Sequence, residues 1–241
     1  MSGPFLRKLE GFAAFSLDEQ QALERVSSDV VDRRAGEDLI REGERPKFVH
    51  ILLEGWAFRY KLLLGGGRQI MAYLIPGDLC DLHIFVLKRM DHSIGLLSDA
   101  KIALVPEKAV LALLDGYPGI ARALFWATLV DEATLREWLA NSLRRPPLER
   151  IAHLFCELSM RMNAVDLVQG RTFNLPLTQA ELGDTIGLNA VTVNRALQRL
   201  RAEGLIELDR KQLTVVDVER LKALSGFDPN YLHLDQAATS S

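Results

Sequence analysis

Cysteine is almost absent from this 241-residue chain, which carries only Cys80 and Cys156. Two cysteines exclude a disulfide framework and a four-cysteine iron–sulfur cluster held within one chain, and they fit a reducing cytoplasm. Long apolar runs are also missing: the longest nearly unbroken one, at residues 123–130, covers eight positions including Thr128, whereas a membrane span needs about twenty. The start of the chain carries charges where a secretory signal has its apolar core. We therefore expect a soluble cytoplasmic protein without a membrane partner.

No charge of one sign dominates, since 29 lysines and arginines stand against 32 aspartates and glutamates, a net charge of −3. This balance argues against a protein that binds nucleic acid irrespective of its sequence. The distribution is uneven, because residues 144–216 hold ten basic and eight acidic side chains and residues 189–201 hold three arginines and no acid. A small basic face on a nearly neutral chain suits a reader of particular DNA sites. An ordinary solvated helix face is the alternative.

Short apolar runs separated by turn residues fill residues 29–106, with glycines at the breaks. A spacing of about 8–12 residues between such runs indicates an antiparallel barrel or jelly roll. A helical pattern follows at 107–143, interrupted near Gly116 and Pro118, and its second helix is apolar almost all round in its first half. We expect that helix to pack between the barrel and a second copy of itself, with an internal core helix as the alternative. Pro146 and Pro147 end the helix and mark a domain boundary.

The strongest local pattern is LTQAELGDTIGLNAVTVNRALQRLRAEGLIELDRKQLTVVD, residues 177–217. Thr178 and Glu181 have the spacing of a capping box, Gly187 permits a sharp turn, and Asn189 can cap the next helix. A short helix, a turn with glycine and a longer helix make a helix-turn-helix. Two further strands, predicted at 205–208 and 213–216, would form a wing.

In a helix-turn-helix, the second helix enters the major groove with its N-terminal residues at the base edges. Arg195 is predicted to contact guanine O6 and N7 in a bidentate manner. The other predicted base contacts are Ala190, Val191 and Asn194. The predicted phosphate contacts are Thr178, Gln179, Asn189, Thr192 and Arg199. The alternative is a winged helix used only for protein contacts.

These motifs resemble the Crp/Fnr superfamily of transcription regulators over essentially the whole chain. The resemblance rests on the helix-turn-helix run, on GEDLIREGE and VHILLEGWAFRY, on PGDL and on the junction LRRPPLERIAHL. It implies an α+β protein with an N-terminal double-stranded β-roll (jelly roll) of cyclic-nucleotide-binding type at 1–118. A dimerisation helix and hinge would follow at 119–145, and a Crp-type winged helix-turn-helix DNA-binding domain at 146–241.

The same resemblance implies a transcription regulator rather than an enzyme. It would act as a homodimer on double-stranded DNA at a near-palindromic operator, with RNA polymerase as protein partner. The dimer contacts are predicted on the long helix at Ile120, Leu124, Ala127, Thr134 and Trp138.

The region that holds cyclic AMP in some members departs from their pattern. The stretch PGDLCDLHIFVLKRMDHSIG lacks the Gly-Glu pair, for which Asp81 is the nearest substitute, and has His92 and Ser93 in place of Arg-Ser. A neutral imidazole lacks the bidentate cation that a cyclic phosphate favours. We therefore expect an effector other than cyclic AMP, or no small effector, with a cyclic-nucleotide response as the alternative. The candidate effector pocket comprises Arg59, Asp81, His92 and Ser93.

Cys80 and His83 lie where haem-based sensors of this superfamily carry Cys-x-His, but with one more residue between them. A buried free cysteine and a hydrogen-bonded histidine explain the pair more simply, so neither haem nor another cofactor is expected. The alternative of another class is a cupin-like metalloprotein with an accessory DNA domain. It would need closely spaced ligands such as His-x-His, and His50, His83 and His92 lack that spacing, so no metal site is expected.

Overall fold

The computed structural model describes residues 3–82, 84–87 and 89–234, and His83 lies outside them. Contacts divide the described chain into two units. The first comprises 3–61, 233–234 and the described part of 72–131, and the second comprises 62–71 and 132–232. None of the described helices has an apolar stretch long enough to cross a bilayer.

The first unit is a β-roll of two antiparallel sheets with helices before and after it. One sheet has the strand order β1-β7-β3 and the other β2-β6-β4-β5. Strands β4 and β5 and helix α5 continue into residues of the second unit. In chain order the elements are α1 (Pro4–Glu10), α2 (Leu17–Val26), β1 (Val30–Arg33), β2 (Asp38–Ile40), β3 (Phe48–Glu54), β4 (Ala57–Leu62), β5 (Arg68–Leu74), α3 (Ile84–Leu87), β6 (Ser93–Leu96), β7 (Ala100–Pro106), α4 (Glu107–Gly116) and α5 (Pro118–Arg144).

Strand β3 is buried on both of its faces. In β3, four consecutive residues from Val49 to Leu52 are buried, so neither face of this strand meets solvent. The turn that follows depends on Gly55, which has φ +91° and whose added Cβ would lie 2.4 Å from the carbonyl oxygen of Asp99. A side chain at this position would therefore clash with the backbone of Asp99 and would also strain the backbone of residue 55 itself. The jelly-roll prediction is confirmed, and the predicted break between α4 and α5 lies where expected.

The prediction of dimer contacts on α5 is wrong for most of its residues. Ile120 and Leu124 are buried in the core of the first unit, and Thr134 and Trp138 are buried in the second. A side chain buried within its own chain cannot meet a partner, and only Ala127 is half-buried. The helix is apolar nearly all round, so its periodicity did not show which flank faces the core. The exposed large apolar residues of α5 are Phe125, Leu129, Leu135, Leu139 and Leu143.

The second unit contains a three-stranded sheet of order β8-β10-β9 and four further helices. Both wing strands are present, each displaced by one residue from the prediction, and the short strand β8 was not predicted. In chain order the elements of the described part are α6 (Pro147–Ala164), β8 (Thr172–Asn174), α7 (Gln179–Ile186), α8 (Ala190–Ala202), β9 (Ile206–Asp209), β10 (Gln212–Val215), α9 (Val218–Ser225) and a 3₁₀ turn (Pro229–Leu232).

Candidate nucleic-acid interface

Helix α7 begins at the predicted capping box. The Thr178 hydroxyl accepts a hydrogen bond from the Glu181 N–H at 3.2 Å, and the Glu181 carboxylate accepts one from the Thr178 N–H at 2.7 Å. These two bonds satisfy donors that the helix start would otherwise leave unpaired. The predicted start of the helix-turn-helix is thereby confirmed.

A tight turn joins α7 to α8. Gly187 ends α7 in the left-handed region with φ +67°, and the N–H of Leu188 donates to the carbonyl of Gly183 at 3.1 Å. Gly183 is needed for a different reason, since a Cβ there would lie 2.4 Å from the carbonyl oxygen of Leu188. Asn189 then caps α8, its Oδ1 accepting from the Thr192 N–H at 2.9 Å. The two glycines and this cap set the position of α8 relative to α7.

Helix α8 has one buried face and one exposed face. Val193, Ala196, Leu197 and Leu200 are buried. The exposed face is polar and basic apart from Ala190, Val191 and Ala202, and Val191 is 61% exposed although it is apolar. The predicted base contacts lie together at the N-terminal end of the exposed face: Ala190, Val191, Asn194 and Arg195.

Arg195 differs from its neighbours in having no partner among the described residues: its exposed guanidinium forms neither a hydrogen bond nor an ion pair with any of them. By contrast, the Arg199 Nε donates to Glu203 Oε1 at 2.7 Å, and the Asn194 Nδ2 donates to Gln179 Oε1 at 3.2 Å. A planar guanidinium with all its donors available suits bidentate recognition of a guanine edge.

The predicted phosphate contacts are less available. The Thr178 hydroxyl donates to Glu181 Oε2 at 2.8 Å and the Thr192 hydroxyl donates to Asn189 Oδ1 at 3.0 Å, so both hydroxyl protons serve helix caps. Asn189 uses its oxygen for capping, which leaves its Nδ2 as the donor for an anion. Gln179 likewise uses its oxygen to accept from Asn194. We therefore regard the amide nitrogens of these two side chains, rather than the threonine hydroxyls, as the groups suited to phosphate.

The wing tip carries two basic residues that sequence reasoning did not single out. Arg210 and Lys211 lie between β9 and β10, are exposed, and have φ +45° and +68°. Two left-handed residues in a two-residue hairpin form a turn that matches strand twist, but Asn-Gly is the preferred pair there. A side chain in this region costs about 1–2 kcal/mol per residue. Such strain beside exposed charge points to function.

The four predicted effector residues do not surround one pocket. In the pairing of β4 with β6, Arg59 lies opposite Ile94 and Tyr60 lies opposite Ser93. Directly opposed residues share a face of the sheet and successive residues alternate. Arg59 and Ser93 therefore project from opposite faces of this sheet, which contradicts the predicted pocket.

Three of these residues already have partners within the chain. Asp81 is fully buried and accepts from the backbone N–H of His50 at 2.7 Å, with His50 Nδ1 at 2.6 Å from its other oxygen. The Ser93 hydroxyl accepts from the N–H of Glu42 at 3.0 Å. His92 Nδ1 lies 2.6 Å from Asp91 Oδ1. The contacts of Asp81 and Ser93 join separate segments of the roll, whereas that of His92 is with its own neighbour in sequence.

Arg59, the fourth, is bound by the chain's own oxygens. Its Nη1 donates to Asp131 Oδ2 at 2.9 Å, its Nε to the carbonyl of Cys80 at 3.2 Å and its Nη2 to the carbonyl of Leu79 at 3.1 Å. Burial acts to lower the pKa of Arg59, but Asp131, with smaller contributions from Cys80 and Asp78, acts in the opposite direction, and the pKa is raised. Burial also raises the pKa of the Cys80 thiol well above its usual value, which disfavours the reactive thiolate.

A buried carboxylate that the sequence did not reveal lies in the second unit. Glu157 Oε2 accepts from the Trp138 indole N–H at 2.9 Å and from the Tyr231 hydroxyl at 2.8 Å, while Oε1 accepts from Arg161 at 3.2 Å. Burial raises the pKa of Glu157. Its partners come from α5, α6 and the 3₁₀ turn, so this one side chain joins three elements.

His153 lies beside that cluster and is almost fully buried. Its ring is 5.0 Å from the ring of Phe227 and stacks on Tyr231 at 6.1 Å, and its Nε2 is 3.1 Å from Glu137 Oε1. Burial and the nearby Arg145 lower the pKa of His153 to about 4. The imidazole is therefore neutral at physiological pH.

Fold and site together define a DNA-binding protein with a β-roll and a winged helix-turn-helix. Two family models match it: a cyclic nucleotide-binding domain over residues 30–117 and a Crp-like helix-turn-helix domain over residues 149–224. The chain belongs to the Crp/Fnr family of DNA-binding transcription regulators, whose matched members are regulators rather than enzymes.

Relatives match along most of both chains. The transcriptional activator protein FnrL of Cereibacter sphaeroides is 28% identical over 203 residues, covering 81% of this chain and 79% of the relative. FnrA of Stutzerimonas stutzeri is 24% identical over 213 residues, covering 88% and 87%. The structure of FixK2 from Bradyrhizobium japonicum superposes with a TM-score of 0.73 at 26% identity, covering 81% of this chain and 96% of that one.

Proposed function

We propose that this regulator acts as a homodimer that reads a near-palindromic operator with the exposed face of α8. The observation that carries the proposal is Arg195, an exposed guanidinium without a partner among the described residues, at the N-terminal end of a capped helix. Asn194, Ala190 and Val191 lie around it and supply an amide and two methyl-bearing groups suited to adenine and thymine. Half-sites would be about 34 Å apart, one turn of DNA.

The phosphate contacts that fix the register come from groups around that face. We assign them to the side-chain nitrogens of Gln179 and Asn189, to Arg199, and to the wing-tip residues Arg210 and Lys211. Thr178 and Thr192 contribute by holding the starts of α7 and α8, whose N-terminal ends attract phosphate. RNA polymerase is the proposed protein partner, and the cytoplasm, where both DNA and polymerase occur, is the proposed location.

Dimerisation is assigned to the exposed apolar residues of α5 rather than to the buried ones that the sequence suggested. Leu135, Leu139 and Leu143 lie on the part of the helix in the second unit and are 45%, 61% and 67% exposed, with spacings of four residues that keep them on one face. Phe125, 64% exposed, lies on the part in the first unit. Large apolar side chains in a row on a helix are typical of a protein interface.

A substitution tests this assignment. Leu139→Glu should convert the dimer into a monomer in analytical ultracentrifugation, because a carboxylate would be buried in an apolar contact. Leu17→Glu is the matched control, since Leu17 is 75% exposed at the start of α2 and lies outside the proposed interface. A Leu139→Glu protein that sediments as a dimer would contradict the assignment.

The effector is proposed to be something other than cyclic AMP, or none. This proposal is supported by the internal partners of Asp81 and Ser93 and by the placement of Ser93 and Arg59 on opposite faces of the sheet. A cyclic-nucleotide response is the second candidate, favoured by the match of residues 30–117 to the cyclic nucleotide-binding domain. Thermal unfolding with and without cyclic AMP separates the two, since a ligand that binds the folded state raises the melting temperature.

Selection of bound DNA from a random library, performed with and without cell extract, tests the proposal as a whole. We expect a two-fold symmetric sequence in both selections if no effector is needed. An extract-dependent sequence would identify a requirement for an effector. Recovery of sequences without symmetry would contradict the dimeric reader.

A further inference from the structure

The buried cation of the roll has its counterion on a different element. Arg59 lies on β4 with its side chain 12% exposed, and Asp131 lies on α5, 72 residues later, with its side chain 39% exposed. Both belong to the first unit. The two carbonyl contacts, from Leu79 and Cys80, orient the guanidinium but do not neutralise it. A buried charge without a counterion is strongly unfavourable, so the contribution of Asp131 is essential to this arrangement.

The other acids near Arg59 are already engaged. Asp78 accepts from Lys8 and from the backbone N–H of Ile75. Asp81 accepts from His50. Within the described residues, Asp131 is therefore the carboxylate that pairs with this guanidinium.

Guanidinium groups in protein interiors bind carboxylates and phosphates through the same planar set of donors. We propose that Asp131 is a built-in counterion that occupies the anion site of the Arg59 guanidinium, which the carbonyls of Leu79 and Cys80 orient, so that an external anionic effector is not needed there. The site binds a small oxyanion once Asp131 is removed. In the intact chain the carboxylate connects β4 to α5 without any small molecule. The inference deepens the proposed function, because it gives a physical reason for independence of an anionic effector.

The experiment uses formate as the probe, since it is the carboxylate that Asp131→Ala removes. Melting temperatures are measured in sodium formate and in sodium chloride of equal ionic strength, for the wild type, Asp131→Ala, and the double variant Arg59→Gln with Asp131→Ala. Asp131→Ala should melt lower than the wild type, and formate should restore part of the loss. Its apparent formate affinity should be at least tenfold higher than that of the other two proteins.

Glu24→Ala is the matched control, because Glu24 is an exposed acid on a helix of the same unit. It should respond to formate as the wild type does. Equal formate responses of Asp131→Ala and the double variant would overturn the proposal, as would a rise in the melting temperature of the wild type with cyclic AMP.

A second comparison applies if Asp131→Ala does not fold. The double variant lacks the buried charge, so it should fold and be more stable than Asp131→Ala. A double variant that is no better folded than the single one would overturn the proposal. None of these measurements involves DNA. A protein that selects no operator would therefore refute the proposed function, while the formate measurements would still test the role of Asp131 as the counterion of Arg59.

Discussion

The substitution Gly183→Ala tests how the helix-turn-helix is built. A methyl group at this position would lie 2.4 Å from the carbonyl oxygen of Leu188, which is backbone and has no rotamer to change. Carbon–oxygen contacts normally lie at about 3.3 Å or more, so the turn would have to move by about 0.9 Å. Overpacking of this kind costs about 1–3 kcal/mol.

Two further contributions adjust that figure. Weakening of the hydrogen bond from Leu188 N–H to Gly183 C=O costs about 0.5–1.5 kcal/mol, while alanine is favoured over glycine in a helix by about 1 kcal/mol. The net expectation is a loss of about 0.5–3.5 kcal/mol in the free energy of unfolding. Displacement of α8 should also remove the bidentate contact of Arg195, worth about 1–3 kcal/mol, or roughly a 5- to 150-fold loss of operator affinity.

Gly187→Ala is the control in the same turn. An added Cβ meets nothing within 4 Å there, but φ is +67°, so the expected cost is backbone strain of about 1–2 kcal/mol without displacement of Leu188. Urea unfolding and fluorescence anisotropy with labelled operator measure the two effects separately. Operator binding by folded Gly183→Ala that is as tight as binding by folded Gly187→Ala would show that the contact between residue 183 and Leu188 does not set the position of α8.

The remaining predictions concern charge and burial in the second unit. Replacing Arg210 and Lys211 by Asn and Gly should stabilise the wing by about 1 kcal/mol or more, because it relieves the left-handed strain. The same change should lower the slope of log affinity against log salt by about 0.9 for each phosphate that the wing no longer neutralises, and an unchanged slope would argue against wing-tip binding to phosphate. Titration of His153 should contribute a loss of about 3 kcal/mol of stability as the pH falls from about 6.5 to about 4, since the unfolded His153 binds a proton that the folded chain excludes. In urea titrations this loss should be absent from His153→Phe, and its persistence there would assign it to another group. Glu157→Ala should cost about 3–5 kcal/mol by leaving its buried donors and Arg161 without the carboxylate. The exposed control Glu219→Ala should change stability by less than about 0.5 kcal/mol, and equal losses in the two variants would contradict the burial argument.

The helix-turn-helix could be predicted because its determinants are local. Thr178 and Glu181 are three residues apart, and so are Asn189 and Thr192, so each cap is visible as a short sequence pattern. The glycine of the turn is likewise a local signal, because φ is positive there. The roll was predictable for the same reason, from its spacing of short apolar runs and glycines.

The features that could not be predicted depend on contacts between residues distant in sequence, or on which of several equally apolar helix faces is buried. No periodicity connects Arg59 to Asp131, 72 residues away, and without that partner Arg59 resembled an effector residue. The predicted dimer contacts include buried residues because α5 offers apolar residues on several sides, and burial of Ile120 and Leu124 depends on how the roll packs. The wing-tip cations were missed because Arg-Lys is not a typical pair for such a turn.

Sequence reading by Arg195 is the central claim, and single-base operator variants test it most directly. The wild type should discriminate by about 1–3 kcal/mol at one G·C pair in each half-site. Arg195→Ala should bind all variants at that pair equally while keeping its discrimination elsewhere, whereas Arg199→Ala should weaken binding uniformly. Full discrimination at every position by Arg195→Ala would contradict the claim that this guanidinium reads the base.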